Sequence, residues 1–247
     1  MPRREFHRAH YSAESAATIS PSRSATTLAT LAGAIRLLHN RAMTDLILAS
    51  GSQTRRRMLE AAGVAFRVVP AEVDEDAIRA NLAESDPNGG PVRVAEVLAR
   101  VKAEEVSRRF PQALVIGGDQ VLALGPEVFT KPIDRAAARV SLERLAGRTH
   151  QLHSAVVLAR GGTAVWRHVD TASLTMRELS RAFVEDYLAC AGEQVCAAVG
   201  AYEIEGLGIQ LFERVDGDYF TILGLPLLPL LAQLRRQGVL PAWNRRE

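Results

Sequence analysis

Short apolar segments alternate with helical stretches along most of this chain, and the alternation restricts the folds open to it. Buried strands are predicted over residues 46–49, 64–69 and 113–116, the last continuing in extended form over 121–124. Helices are predicted over 54–62, 76–84, 92–110, 135–145 and 180–189, and a β-hairpin over 150–174. Strands that alternate with helices around a hairpin indicate an α/β protein with a mixed sheet.

The composition excludes several other classes of protein. A chain of 247 residues with 18 Gly, 11 Pro and 2 Cys is neither collagen-like, disordered nor a disulfide scaffold. The longest apolar stretch, residues 219–234, is interrupted by Pro226 and Pro229. It falls short of the roughly 18 residues that span a bilayer, so we expect a buried terminal helix and no membrane segment. The two cysteines lack any partner motif and suit a reducing cytoplasm.

Charge is distributed unevenly along the chain. The net charge is +2, but residues 1–42 alone carry +4, which leaves −2 for the remainder. A slightly acidic body argues against a surface that coats nucleic acid, although a small polyanion could still bind in a local basic cleft. Of the 30 basic residues only Lys102 and Lys131 are lysines. Either coding bias explains this, or these two sites need a compact ammonium that a planar guanidinium does not replace.

The first 42 residues are rich in Ser, Thr, Ala and Arg and carry no clear strand or helix. This composition is typical of a mitochondrial transit peptide. The alternative that we favour is translation from Met43, because Met43 leads directly into the first predicted strand. We therefore expect residues 1–42 to be an extension, disordered or absent from the native protein, and residues 43–247 to form the functional domain.

Two segments before residue 80 could bind phosphate or metal. Residues 50–57 form a strand–turn–helix junction that places free backbone N–H groups and hydroxyls beside positive charge, an arrangement suited to phosphate. The alternative is an ordinary serine-capped helix with solvated arginines. Residues 73–76 place three acids after a strand, and carboxylates clustered at a strand end can hold Mg²⁺. An acidic first helical turn would explain them equally well.

A third segment carries the strongest chemical signal. A buried strand delivers Asp119 directly after Gly117 and Gly118, which allow another group to approach the backbone closely. An aspartate placed in this way can act as a metal ligand or as a general base. Lys131 follows twelve residues later and could neutralise a transferring or leaving phosphate.

Taken together, these segments resemble the Maf family of nucleoside triphosphate pyrophosphatases, over about residues 44–238. The resemblance rests on residues 46–59, on residues 73–75 and on residues 116–121 with Lys131 and Pro132. Shorter matches complete it at residues 147–150, 192–193, 200–202, 217–219 and 224–227. It implies a Maf/inosine-triphosphatase-like α/β fold, with an elongated mixed sheet, two lobes and a central cleft.

The resemblance also implies an activity and a set of roles. The expected reaction is hydrolysis of a nucleoside triphosphate to the monophosphate and pyrophosphate with Mg²⁺ or Mn²⁺. Ser52, Arg55 and Lys102 would bind substrate and Lys131 would contact the triphosphate as a catalytic residue. Asp119 would be an acid ligand or the proton acceptor, and Glu75 would help to bind metal. A cytoplasmic location and a homodimer are implied in the same way.

Departures from the commonest pattern bear on the substrate. Gln120 follows Asp119, and Glu205 precedes Gly206, where the dTTP- and UTP-hydrolysing branch commonly has threonine and glutamine. Both changes resemble the branch that acts on 7-methyl-GTP, so Gln120 and Glu205 are expected to bind substrate. The carboxylate of Glu205 could accept hydrogen bonds from a guanine edge and favour a cationic methylated base. The alternatives are a preference for dTTP and UTP, or inhibition of septum formation through a partner.

Overall fold

A computed structural model describes residues 45–241 of the chain. The predicted extension over residues 1–42 and the proposed start at Met43 lie outside the described residues. The strands are β1 Leu46–Leu48, β2 Arg67–Val68, β3 Leu114–Leu124, β4 Glu127–Phe129, β5 Thr149–Arg160, β6 Thr163–Met176 and β7 Phe212–Asp216. The α-helices are α1 Gln53–Ala61, α2 Glu75–Ser85, α3 Gly90–Arg109, α4 Arg135–Leu145, α5 Arg181–Ala191, α6 Tyr219–Ile222 and α7 Leu227–Arg236.

All seven strands form one sheet in the order β2-β1-β3-β5-β6-β7, with β4 paired to β3. Strand β1 runs parallel to both β2 and β3, whereas the other pairings are antiparallel. The sheet is therefore mixed, and the predicted α/β class is confirmed. No helix within residues 45–241 is both long and apolar enough to cross a bilayer.

Strand β3 organises the sheet and is longer than predicted. It runs without a break through Gly117, Gly118 and Asp119, because β5 pairs with it continuously from Val115 to Ala123. Side chains alternate between the two faces of a strand, so Gly117 and Asp119 face one side while Gly118 and Gln120 face the other. The side chains of Asp119 and Gln120, two candidate residues that are adjacent in sequence, therefore lie on opposite faces of the sheet.

Two apolar clusters lie along the same sheet. One contains Ile116 and packs β1 and β3 against α1 and α7. The other contains Leu122 and packs β3, β5 and β6 against α4 and α5. Both clusters lie on the face of β3 that carries Gln120, which falls between Ile116 and Leu122. Asp119 lies on the other face between Val115 and Val121, which belong to two further apolar clusters.

The C-terminal segment differs from its prediction. The single helix expected over residues 219–234 is wrong, because the chain forms α6 and α7 with a turn between them. Gly224 adopts a φ of +97° in this turn, which L side chains rarely adopt, and Pro226 is the N-cap of α7. The short strands β4 and β7 were not predicted, and β2 is shorter than the predicted strand over 64–69.

Candidate active site

A buried lysine joins two carboxylates at the centre of the candidate site. The Nζ atom of Lys102 lies 2.6 Å from Oε1 of Glu75 and 2.7 Å from Oδ1 of Asp119. The three side chains come from α3, the first turn of α2 and β3. Only 11% of the Lys102 side chain and 7% of the Asp119 side chain are exposed. The structure thus brings together three residues that the sequence singled out separately.

A glycine makes this contact possible. A Cβ atom at Gly117 would lie 2.1 Å from the carbonyl oxygen of Ala99 and 2.7 Å from Cβ of Ala103. Only glycine therefore lets α3 pack this closely against β3. Because Gly117 and Asp119 share a face of β3, the same close approach brings Lys102 on α3 against Asp119.

The acidic segment over residues 74–76 divides its side chains among three roles. Asp74 caps α2 by accepting a hydrogen bond from the backbone N–H of Ala77 at 2.9 Å. Asp76 is exposed and pairs with Arg79. Glu75 alone turns toward Lys102, while its Oε2 accepts a hydrogen bond from Arg79 Nη2 at 2.8 Å. An acidic helical turn and a site carboxylate therefore coexist in one segment.

The two carboxylates differ in their electrostatics. Burial raises the pKa of Asp119 above its usual range, against the opposing charges of Lys102 and Arg55. Burial also raises the pKa of Glu75, but the hydrogen bonds and charges of Lys102 and Arg79 together outweigh it, so the pKa of Glu75 is lowered. Asp119 is accordingly the stronger base of the pair.

One carboxylate oxygen of the cluster has no hydrogen-bond partner among the described residues. It is Oδ2 of Asp119, which is buried. Within residues 45–241, no three His, Cys, Asp or Glu side chains converge as a ready-made metal site. Mg²⁺ commonly takes only one or two carboxylates and completes its shell with water and substrate phosphates. Glu75 and the free oxygen of Asp119 fit that requirement.

Arg55 lies on the opposite face of β3 and is almost completely buried. Its Nε donates to the carbonyl oxygen of Gly224 at 2.7 Å, and its Nη1 donates to Oγ of Ser50 at 3.1 Å. Ser52 caps α1 by accepting from the backbone N–H of Arg55 at 3.3 Å. Burial lowers the pKa of Arg55, opposed by the charges of Asp119 and Glu75. The predicted cap is confirmed, and phosphate binding by Ser52 and Arg55 stays a prediction.

Gln120 is anchored to the turn that precedes Gly224. Its Nε2 lies 3.0 Å from Oγ of Ser154, 3.1 Å from the Thr221 carbonyl and 3.0 Å from the Ile222 carbonyl. A carbonyl only accepts hydrogen bonds, so the amide nitrogen must face this side and Oε1 must face away. Oε1 lies 3.4 Å from the position of a Cβ on Gly224. Gln120 therefore presents an acceptor on the Arg55 side of the sheet.

Lys131 and Glu205 lie apart from these contacts. Lys131 is exposed in the segment after β4, and it makes no ion pair with any other residue in the described part of the chain. Because β4 runs antiparallel to β3, the chain after Phe129 runs back in the direction of Asp119. Glu205 is exposed and accepts a hydrogen bond from the hydroxyl of Tyr219 at 2.8 Å. Tyr219 opens the helix whose carbonyls hold Gln120.

Five residues that support the site were not predicted as site residues. Arg79 was detectable in the sequence, since it stands four residues after Glu75 on a predicted helix, the spacing at which side chains meet. Ser50 contacts Arg55 only five residues away, within the segment 50–57 that was already a candidate. The remaining three act through contacts between distant parts of the chain, which no local pattern reveals. The five residues are Ser50, Arg79, Ser154, Thr221 and Gly224.

Comparison with known proteins finds a matching family and several similar sequences. The profile of a family described as Maf-like protein matches residues 45–237. A 7-methyl-GTP pyrophosphatase of Mesorhizobium japonicum is 56% identical over 199 residues, which cover 80% of this chain and 99% of the relative. A nucleoside triphosphate pyrophosphatase of Paramagnetospirillum magneticum is 54% identical over 194 residues, covering 78% and 99% of the two chains. Among solved structures, a HAM1 protein from Coxiella burnetii aligns with a TM-score of 0.38 and 16% identity, covering 56% of this chain and 76% of that one.

Proposed function

The chain belongs to the Maf-like protein family, and from this premise we propose that it is a nucleoside triphosphate pyrophosphatase. The reaction consumes one water and yields a nucleoside monophosphate and pyrophosphate. The observation that carries the proposal is the cluster of Lys102 and Asp119, which are buried, with the half-buried Glu75. A module that only binds a partner has no need to bury an ammonium and a carboxylate together beside a second carboxylate.

Asp119 is proposed as the proton acceptor. A carboxylate has two oxygens, so one can take the proton while the other holds the ion proposed below, and burial raises the pKa of this carboxyl. The water oxygen bonds to one phosphorus of the α–β anhydride, and its proton passes to the Asp119 carboxylate. The bridging oxygen leaves with the other phosphorus. A carboxylate with a raised pKa is better matched to this transfer near neutral pH.

Cationic side chains are proposed to offset the charge that develops on the departing pyrophosphate. Lys131 is exposed and free of ion pairs with the described residues, so its ammonium is available to the triphosphate. Arg55 uses Nε and Nη1 for Gly224 and Ser50, which leaves Nη2 for a substrate oxygen. Fixed donors of this kind stabilise the transition state more than the ground state.

Nucleotide pyrophosphatases generally use divalent metals, and we propose Glu75 and Asp119 as the residues that hold Mg²⁺ or Mn²⁺ here. When bound, the ion supplies Lewis-acid polarisation of a phosphoryl oxygen. The role of the two carboxylates would be to hold the ion, since without it they would repel the substrate phosphates.

The proposed substrate is 7-methyl-GTP. Relatives more than half identical to this chain carry that name. Glu205 is an exposed carboxylate held by Tyr219, and Gln120 presents its carbonyl oxygen. Both side chains accept hydrogen bonds, which suits the donor-rich edge of guanine, and the charge of Glu205 suits a cationic methylated base.

We further propose that the enzyme works in the cytoplasm as a homodimer and binds no nucleic acid. The free thiols of Cys190 and Cys196 are compatible with a reducing compartment. We propose residues 43–247 as the catalytic domain, of which residues 45–241 are described.

Release of pyrophosphate across a panel of nucleotides tests the function. We expect turnover of 7-methyl-GTP above that of GTP, dTTP and UTP with Mg²⁺ or Mn²⁺, and none with a chelator. Glu205→Gln should reduce the ratio of kcat/KM for 7-methyl-GTP to that for GTP. The control Glu213→Gln changes an exposed carboxylate on β7 and should leave this ratio unchanged. A strong preference for dTTP and UTP would overturn the substrate, and no release from any nucleotide would overturn the activity.

A further inference from the structure

Lys102 holds its two carboxylates in the way that a bound cation would. One ammonium contacts Oε1 of Glu75 and Oδ1 of Asp119 at 2.6 and 2.7 Å. We propose that Lys102 is an exchangeable counter-ion, which neutralises the metal-binding carboxylates in the free enzyme and moves to the triphosphate when metal and nucleotide bind. This inference rests on the proposed function.

The charges of the cluster explain why a counter-ion is needed. Two carboxylates that share a site repel each other, and the buried Asp119 is costly to desolvate without a cationic partner. Lysine suits a temporary role, because its ammonium is a point charge on a flexible four-carbon stem. A guanidinium in the same place would bind the carboxylates through a rigid fork.

The free oxygen of Asp119 is a second, independent indication. Oδ2 is buried and unpartnered within the described residues, although Oδ1 of the same carboxyl is bound. Leaving a buried acceptor unsatisfied is unfavourable, so such an atom in a native site calls for an explanation. An oxygen reserved for an incoming cation provides one.

Arg79 keeps the carboxylate of Glu75 in place during the exchange. Its Nη2 binds Oε2 of Glu75, the oxygen that Lys102 does not contact. When Lys102 leaves, Oε1 becomes available while Arg79 still restrains the other oxygen. Arg79 is thus a positioning residue, one helical turn away from the carboxylate that it holds.

The exchange predicts that metal and nucleotide bind cooperatively. Metal alone must displace an ammonium that has no other partner among the described residues. A triphosphate gives that ammonium a new partner, so each ligand should strengthen binding of the other by the same factor. Removing the charge of Lys102 should therefore tighten metal binding in the absence of nucleotide.

Direct Mn²⁺ titration, with the free ion followed by electron paramagnetic resonance, tests this without turnover. The unmodified full chain is compared with two variants, Lys102→Gln and Arg100→Gln. Arg100 is the matched control, because it lies on the same helix as Lys102 but its guanidinium pairs with Glu104 and not with the site carboxylates. We expect Lys102→Gln to bind Mn²⁺ about tenfold more tightly than the unmodified chain, and Arg100→Gln to bind it equally. Adding a triphosphate analogue with a methylene α–β bridge should tighten Mn²⁺ binding in the unmodified chain more than in Lys102→Gln.

Equal or weaker Mn²⁺ binding by Lys102→Gln would overturn the exchange. If that variant is poorly folded, a second test compares the effect of Mn²⁺ on the melting temperatures of Lys102→Met and of the unmodified chain. A larger rise with Mn²⁺ in Lys102→Met than in the unmodified chain supports the proposal, and an equal or smaller rise contradicts it. Failure of the proposed function remains distinguishable, because absent pyrophosphate release leaves the Mn²⁺ affinities unaffected.

Discussion

At the scale of single residues, one ammonium serves two carboxylates whose pKa values move in opposite directions. Lys102 contacts both Glu75 and Asp119, yet burial dominates at Asp119 and raises its pKa. At Glu75, which is more exposed and is also held by Arg79, the cationic partners prevail and the pKa is lowered. Depth of burial therefore assigns the stronger base, although both residues share the same partner.

Asp119→Asn should abolish most of the activity while retaining the fold. The amide keeps the size of the side chain and a hydrogen-bond acceptor for Lys102, but it accepts no proton from water. We expect kcat to fall by about 10²–10⁴-fold, the usual contribution of a general base. Asp76→Asn, which changes the exposed acid beside Glu75, should stay within about twofold. A fully active Asp119→Asn enzyme would remove this residue from the mechanism.

Lys131 offers a change whose effect should be confined to catalysis. Because its side chain is exposed, Lys131→Ala should alter the free energy of unfolding by less than about 0.5 kcal/mol. Loss of an ammonium at the departing pyrophosphate should lower kcat/KM by about 10²-fold. Lys131→Arg separates the need for a compact ammonium from the need for charge alone. Full activity of Lys131→Ala in steady-state assays would exclude the proposed contact.

At the scale of elements, local patterns predicted the parts of the fold that depend on neighbouring residues. The serine cap of α1 and the hairpin of β5 and β6 follow from short-range patterns, and both are present. The apolar pattern did not predict the break between α6 and α7, because hydrophobicity does not report the positive φ that Gly224 adopts in the turn. The hydrogen bond from Arg55 to Gly224, 169 residues further along the chain, depends on the assembled sheet and has no local signature.

Gly117 controls how closely α3 approaches β3, and its substitution should disturb both stability and activity. In Gly117→Ala the new methyl group would lie 2.1 Å from the carbonyl oxygen of Ala99, so α3 must move outward with Lys102. We expect a loss of about 1–3 kcal/mol in unfolding free energy, measured in urea. Gly51→Ala is the matched control for stability, since no atom lies within 4 Å of the added methyl. Equal stability of the two variants would contradict the close packing.

At the scale of the whole described domain, the sheet carries apolar clusters on both faces, and Lys102 and Asp119 lie on the face where α3 packs against β3. Polar groups are also buried against the cluster that contains Leu122. His150 on β5 is fully buried, and its Nε2 lies 2.7 Å from the hydroxyl of Tyr202. The hydroxyl of Tyr187 donates to the carbonyl of Ala201 at 3.1 Å. This cluster therefore has a titratable group that the proposed chemistry does not use.

His150 should make the stability of the domain depend on acid pH. Burial lowers the pKa of His150 from 6.5 to about 4, so the unfolded chain takes up a proton at a pH where the folded chain does not. Stability should therefore fall as the pH decreases from about 6.5 to 4, by at most about 3 kcal/mol, and this loss should level off below pH 4. His150→Gln should be less stable at pH 7, but its deficit should shrink by that amount at pH 4 in urea unfolding. Tyr202→Phe keeps the imidazole and should keep the full pH dependence; an unchanged deficit for His150→Gln at both pH values would show that protonation of His150 is not the cause.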